Sequence, residues 1–177
     1  MTRSRLLIGL AALLVVAVGI YWFVIRADSA EPRVFVPDLS ASIGEGADGV
    51  GVAANGALVR WLPLPEDPPL PQLPLDEVPK GGRVKGPALE QVQVLAAVPD
   101  PLRPYLARSF FGESGVEVEL TTGIEIRFGD ASQARRKWNA AAAILADPEV
   151  TALDYVNVIA PSRPVYEGFG HQLPAIP

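Results

Sequence analysis

The stretch that decides the fold is GVEVELTTGIEIRF, residues 115–128, in which two runs of alternating apolar and polar residues flank a short polar loop. A period of two is typical of strands with one buried face, so the pattern predicts a β-hairpin. A two-residue turn would pair Leu120 with Glu125 and bring opposite faces together. A three-residue loop closed by Gly123 pairs Leu120 with Ile124 instead, and the apolar faces then agree.

A helix and a last strand are predicted after this hairpin. Asp130 and Gln133 have the spacing of a capping box, and Asp147-Pro148 ends the helical pattern. One helical face carries the apolar side chains of Ala134, Trp138, Ala141 and Leu145. Residues 153–159 are typical of a strand, which ends before Pro161. The unit is therefore predicted to be a small sheet backed by a helix, and its last strand is expected to be exposed at an edge.

Further elements are predicted on the N-terminal side of this unit. Asn55-Gly56 between two alternating runs indicates a two-residue hairpin turn that places Val52 opposite Val59. Residues 62–82 carry seven prolines, which predicts an extended segment across one edge of the domain, with a proline-recognition ligand as the alternative. Apolar residues at helical spacing predict two further helices, over residues 87–98 and 102–112.

An uncharged apolar segment, Leu6–Ile25, lies near the N-terminus. Its twenty residues are enough to cross a hydrocarbon core about 30 Å thick, so it is predicted to be a transmembrane helix. Arg3 and Arg5 precede it, and the positive-inside rule then places the N-terminus in the cytoplasm and the rest of the chain outside. The alternative is a signal peptide cleaved near Ala27, which would leave a secreted domain.

The composition restricts the partners and the chemistry of the chain. The formal net charge is −5, and without Arg3, Arg5 and Arg26 the remaining 12 basic and 20 acidic residues give −8 beyond the apolar segment. This charge argues against binding of nucleic acid or anionic lipid. The absence of cysteine excludes disulfides, thiolate metal sites and cysteine nucleophiles.

No motif points to a catalytic, cofactor-binding or metal-binding residue. His171 is the only histidine and lies in a segment rich in glycine and proline. Glu117, Glu119 and Glu125 alternate with apolar residues, so their side chains are predicted to be solvated. The basic run 135–137 is typical of a solvated helix face. We therefore expect no enzymatic activity, no cofactor and no small-molecule substrate.

Five segments occur in an order that is similar to that of a known family. They are residues 54–59, 88–99, 116–129, 137–145 and 155–164. On these segments the chain resembles the FtsQ/DivIB family of bacterial cell-division proteins, although Asn157 stands where the family usually has aspartate. The resemblance implies one membrane segment followed by an extracytoplasmic α+β domain. Family members usually carry a POTRA domain between the two, and the few residues between Ile25 and Val50 leave no room for it.

The resemblance also implies a function and a site. Members of the family are non-enzymatic scaffolds of the septum-forming complex, and their β domain binds the coiled-coil division proteins FtsB (DivIC) and FtsL. The partner adds a strand to the last strand of the sheet. On this chain that strand is 153–159, with Val156 and Val158 expected to face the core. The side chains expected to be accessible to the partner are Tyr155, Asn157 and Ile159.

The predicted architecture is α+β, with one N-terminal transmembrane helix followed by a small extracytoplasmic sheet of hairpins packed against two or three helices. Its segments are a cytoplasmic tail (1–5), the transmembrane helix (6–25), a linker (26–48), the β domain (49–165) and a flexible tail (166–177). The predicted location is the bacterial inner membrane. Two alternatives stay open: a membrane-anchored enzyme of the cell envelope, and a secreted domain with unrelated partners.

Overall fold

The computed structural model describes residues 37–44 and 49–174 of the chain. The strands in this part are β1 (Leu39–Ile43), β2 (Val50–Ala53), β3 (Leu58–Val59), β4 (Leu106–Gly112), β5 (Gly115–Leu120), β6 (Glu125–Gly129), β7 (Ala152–Asn157) and β8 (Val165–Gln172). The helices are α1 (Pro87–Ala96), a 3-10 helix (Asp100–Tyr105) and α2 (Ala134–Leu145). β1 and β8 lie in the segments that were predicted to be a linker and a flexible tail.

The predicted architecture is wrong, because the described residues form a mixed, sheet-rich α+β fold rather than a small sheet of hairpins after a membrane helix. Their strands form a three-stranded sheet, β1-β2-β3, and a five-stranded sheet, β4-β5-β6-β7-β8. β6 and β7 run parallel because α2 is a crossover connection between them. Within 37–44 and 49–174, no helix has the length and apolar character needed to cross a membrane. The predicted span, Leu6–Ile25, and the tail before it lie outside the described residues.

The middle of the proline-rich segment, residues 71–73, lies between the two sheets, and only its end, at Gly82, reaches the edge strand β3. On one side, the amide of Leu73 donates to the carbonyl of Ser42 in β1, at 2.9 Å. On the other side, Gln72 donates to Ala107 of β4 at 3.2 Å and accepts from the amide of Ser109 at 3.0 Å. Proline keeps this segment extended, and its non-proline residues supply the hydrogen bonds. The segment thus connects β1 of the first sheet to β4 of the second, and the strands lie side by side from β3 at one end to β8 at the other.

The register of the second hairpin is confirmed. Val118 pairs with Ile126, and the amide of Leu120 donates to the carbonyl of Ile124 at 2.9 Å. Gly123 closes the three-residue loop with a φ of 92°. The alternation fixed this register because a shift by one residue would expose every apolar side chain of one strand.

The register of the first hairpin is one residue away from the prediction. Val52 pairs with Leu58, and the amide of Ala53 donates to the carbonyl of Ala57 at 3.0 Å, so the loop has three residues. The predicted two-residue turn needs positive φ at both central residues. Here Gly56 alone of the loop has positive φ, at 81°.

The segment predicted as a second short helix is mostly strand β4. β4 pairs antiparallel with β5, with Ser109 opposite Val118. The helix was inferred from Leu102, Leu106 and Phe110, which are spaced four residues apart. A spacing of four fits a helical period of 3.6 and also a strand period of two, so this pattern did not distinguish the two structures.

The two α-helices meet at Trp138 in the core. Its Nε1 donates to the carbonyl of Val94 in α1 at 2.7 Å, and its ring packs against that of Phe128 in β6 with the centroids 4.8 Å apart. The predicted apolar face of α2 is confirmed, since Ala134, Trp138, Ala141 and Leu145 are all buried. α2 therefore covers one face of the sheet at β6, and β7 and β8 continue the same sheet beyond it.

The start of α2 differs from the predicted capping box. Gln133 is the N-cap residue and makes no side-chain cap bond. Lys137, predicted to be solvated, is buried, and its Nζ donates to the carbonyls of Phe128 (2.8 Å) and Asp130 (3.1 Å) and to Asp130 Oδ1 (2.7 Å). These acceptors replace the water that the ammonium loses. The hydrogen bonds from Lys137 and Ser132 lower the pKa of the Asp130 carboxyl to about 2.

Candidate partner-binding edge

The strand predicted to be an exposed edge is an inner strand. β7 pairs in parallel with β6 on one side and antiparallel with β8 on the other. Its backbone groups are therefore used within the chain, and a partner strand has no free side of β7 to pair with. The edge of the five-stranded sheet is β8. Sequence reasoning missed β8 because Gly168 and Gly170 interrupt its pattern, and glycines are typical of a tail.

Tyr155 belongs to a polar row on the face of the sheet opposite the helices. The guanidinium of Arg127 lies over its ring, 3.9 Å from the centroid. Its hydroxyl donates to Glu167 Oε2 at 2.8 Å, and this bond raises the pKa of Tyr155 because it favours the protonated phenol. Arg127 also forms an ion pair with Glu125 at 3.2 Å. The row ties β6, β7 and β8 together.

Asn157 and Ile159 lie at the end of β7 and do not reach the open edge of the sheet. Asn157 Oδ1 accepts the amide of Ile159 at 3.1 Å, which stabilises the turn out of the strand. The side chain of Ile159 lies against Gly129, where an added Cβ would be 3.2 Å from Ile159 Cγ1. Val156 and Val158 are buried, as predicted. The three predicted contact residues are thus not brought together at an accessible strand.

Three large apolar side chains of β8 are exposed, whereas after β7 only Ile159, at 45%, is exposed among the predicted contact residues. Val165 is 58%, Tyr166 48% and Phe169 90% exposed. β8 is eight residues long, VYEGFGHQ, and contains neither lysine nor proline, the residues that commonly protect a sheet edge. An open strand of this length with apolar side chains can accept another strand by backbone hydrogen bonds.

A wide bulge interrupts β8 in its middle. Leu153 pairs with His171 and Tyr155 with Glu167, so two steps along β7 correspond to four along β8. The extra residues lie opposite Asp154, whose Oδ1 accepts the amide of Gly170 at 2.8 Å. Bulges of this kind bend the strand and redirect a side chain. β8 therefore offers a partner two short segments separated by the bulge.

Glycine lies on both sides of the bulge, and the backbone requires it at Gly168, where φ is positive. Gly168 has a φ of 101°, and a Cβ there would lie 2.1 Å from Asp154 Oδ2. At Gly170 the same atom would lie 2.2 Å from Asp154 Oδ1. The carboxylate thus occupies the space that two side chains would need, and Phe169 is the one side chain of the bulge.

The side chains that the sequence offered as catalytic or metal-binding candidates make contacts within the fold. The ring of His171 packs on the loop of the second hairpin, where a Cβ on Gly123 would lie 2.6 Å from it. Glu117, predicted to be solvated, is buried, and its Oε1 accepts the amide of Ser114 at 3.2 Å. In the part of the chain that the structure describes, no three His, Asp or Glu side chains are grouped so that they could hold a metal ion.

Comparison with known proteins adds no assignment. No protein-family model matches the chain, and neither a curated protein nor a solved structure matches it. The resemblance to the FtsQ/DivIB family therefore rests on the order and spacing of the five quoted segments alone. Function has to be inferred from the sheet edge and from that resemblance.

Proposed function

We propose that this chain is a non-enzymatic scaffold of the bacterial cell-division complex. In this proposal its five-stranded sheet binds a coiled-coil partner of the FtsB/DivIC and FtsL type by accepting a strand along β8. Activity outside the cytoplasm at the plasma membrane, where the family's β domain acts, is part of the proposal. The observation that carries it is the open eight-residue edge of β8 with its exposed Val165, Tyr166 and Phe169.

The opposite edge strand, β3, is short and covered, and this supports the choice of β8. β3 has only two residues, and residues 82–84, where the proline-rich stretch ends, cover it. The amide of Leu58 donates to Gly82 and the amide of Val84 to Gly56, each at 2.9 Å. Among the described strands, β8 is therefore the long edge that stays open to a partner. Open edges promote aggregation, and natural proteins protect unused ones with lysine, proline or bulges. β8 contains a bulge but neither lysine nor proline, and its first segment, Val165–Glu167, stays open to a partner.

Binding of the coiled-coil division protein from the same bacterium to the full chain tests the proposal. Tyr166→Lys puts a charge on β8 and should sharply reduce pull-down of the partner, because lysine discourages strand pairing at an edge. Phe111→Lys is the matched control, since Phe111 is an exposed aromatic (52%) on β4, at the other side of the five-stranded sheet. It should bind like the parent.

Circular dichroism of both variants should match that of the parent. Equal pull-down by parent and a folded Tyr166→Lys variant would contradict strand addition at β8. An absence of binding by the parent protein would contradict the division-complex assignment itself.

A further inference from the structure

Phe169 contributes almost nothing to the fold of this chain, yet its backbone is held in place. Its side chain is the most exposed of the large apolar side chains in the described residues. The chain nevertheless places two glycines and a carboxylate around it, and glycine carries an entropic cost on folding. An exposed aromatic side chain on an open edge is also an aggregation hazard. Large aromatic side chains are enriched among the residues that anchor protein interfaces.

The carboxylate of Asp154 fixes this presentation. Its Oδ1 accepts the amide of Gly170 at 2.8 Å, and both of its oxygens fill the space beside Gly168 and Gly170. The bulge also interrupts the ladder, so an added strand can pair regularly with Val165–Glu167 and then meets Phe169. The bulge therefore sets where along β8 a partner can pair.

The charges next to Phe169 indicate the chemistry of the partner. Asp154 and Glu167 are both exposed, and the hydrogen bond from Tyr155 to Glu167 does not neutralise that carboxylate. Arg127, whose guanidinium lies over the ring of Tyr155, is already paired with Glu125. The surface around the aromatic ring is therefore acidic, and it complements a partner segment that carries lysine or arginine.

We propose that Phe169 is the anchor of the β8 interface and that Asp154 is its positioning residue. The occupant is an extended protein segment with an apolar pocket for the phenyl ring and basic residues beside it. This inference rests on the proposed function, because it assigns the contact that the coiled-coil partner makes with β8.

Affinity of the purified full chain for the coiled-coil partner tests the anchor. Phe169→Ala should weaken binding by more than about tenfold, the loss expected when a central aromatic anchor is truncated. Phe111→Ala removes an equally large, exposed ring from β4 and should change the affinity less than about twofold, because surface contacts outside the interface centre contribute little.

Two substitutions of Asp154 separate positioning from charge. Asp154→Asn keeps an oxygen that can accept the hydrogen bond from the Gly170 amide. The Gly170 amide should therefore stay protected from hydrogen exchange. Because the substitution removes a negative charge, the salt dependence of binding should fall. Asp154→Ala removes the acceptor, so the amide should lose protection and affinity should fall as it does for Phe169→Ala. Equal protection of Gly170 in the parent and Asp154→Ala would overturn the positioning role.

The outcomes distinguish this inference from the proposed function. If Tyr166→Lys abolishes binding and Phe169→Ala does not, β8 is the site but the anchor assignment is wrong. If the parent does not bind the coiled-coil protein, a photo-crosslinking benzoylphenylalanine at position 169 is tested in cells against the same probe at position 111. A crosslinked peptide with apolar residues beside lysine or arginine supports the anchor. An acidic peptide, or no crosslink above that at position 111, overturns it.

Discussion

Replacing Lys137 by methionine removes one ammonium group and keeps most of the buried apolar stem. In the parent protein the Nζ atom of Lys137 donates to the carbonyls of Phe128 and Asp130 and to the Asp130 carboxylate, at 2.7–3.1 Å. Methionine cannot donate, so these acceptors at the end of β6 lose the ammonium, although Phe128 keeps the amide of Asp130 and Asp130 Oδ1 keeps Ser132 as donors. Because the bonds connect α2 to the strand before it, the substitution tests what holds the helix on the sheet.

The expected decrease in the free energy of unfolding depends on how deeply each hydrogen-bond acceptor is buried. The hydrogen bond from the Lys137 ammonium to the buried carbonyl of Phe128 contributes about 1.5–3 kcal/mol, as is usual for a hydrogen bond of a charged group, and after the substitution this carbonyl keeps the amide of Asp130 as its donor, at 3.0 Å. The Asp130 carboxylate contributes less, about 1 kcal/mol at most, because its side chain is 62% exposed and water screens the ion pair. Removing a buried charge offsets part of the loss. We therefore expect Lys137→Met to lower the free energy of unfolding by about 2 kcal/mol.

Urea denaturation of the full chain, followed by circular dichroism, measures this difference. The matched control is Arg135→Met, which removes an exposed cation two residues earlier on the same helix and should change the stability by less than about 0.5 kcal/mol. If Lys137→Met and Arg135→Met were equally stable, the buried hydrogen bonds of Lys137 would not hold α2 on the sheet.

Three further predictions concern stability. The pKa of Asp130, about 2, lies below its ordinary 3.8, so its charge stabilises the fold above about pH 4 and this contribution is lost as the pH falls toward 2; in urea titrations, the gap between parent and Asp130→Asn should close over that range. Gly115→Ala should lower the melting temperature strongly, since its Cβ would lie 2.0 Å from the Gly129 carbonyl oxygen, whereas Gly81→Ala meets no atom and should be tolerated. Trp138→Phe should lose about 1–3 kcal/mol in urea denaturation, because the buried hydrogen bond from Nε1 to the carbonyl of Val94 is lost and the smaller ring leaves a void, although that carbonyl keeps the amide of Ala97 as a donor.

Local patterns in the sequence determined the second hairpin and the buried face of α2. Val118 and Ile126 had to share a face, because any register shift by one residue would have exposed a whole apolar row. The helical spacing of the apolar residues placed Trp138 on the buried face of α2, and Trp138 is buried. The sequence did not determine the turn of the first hairpin, because the residues around Gly56 suit either a two-residue or a three-residue loop.

The tertiary structure alone decided which strand is the edge. Whether the backbone of β7 is free depends on a distant segment returning to pair with it, and that segment, Val165–Gln172, has little alternation of its own. Likewise, Gln72 pairs with a strand of each sheet although it lies in a proline-rich stretch. The hydrogen bonds of Lys137 form only because α2 packs against the end of β6. Local period predicts which face of an element is buried. Pairing between elements depends on contacts far apart in sequence, and it was this pairing that moved the candidate site from β7 to β8.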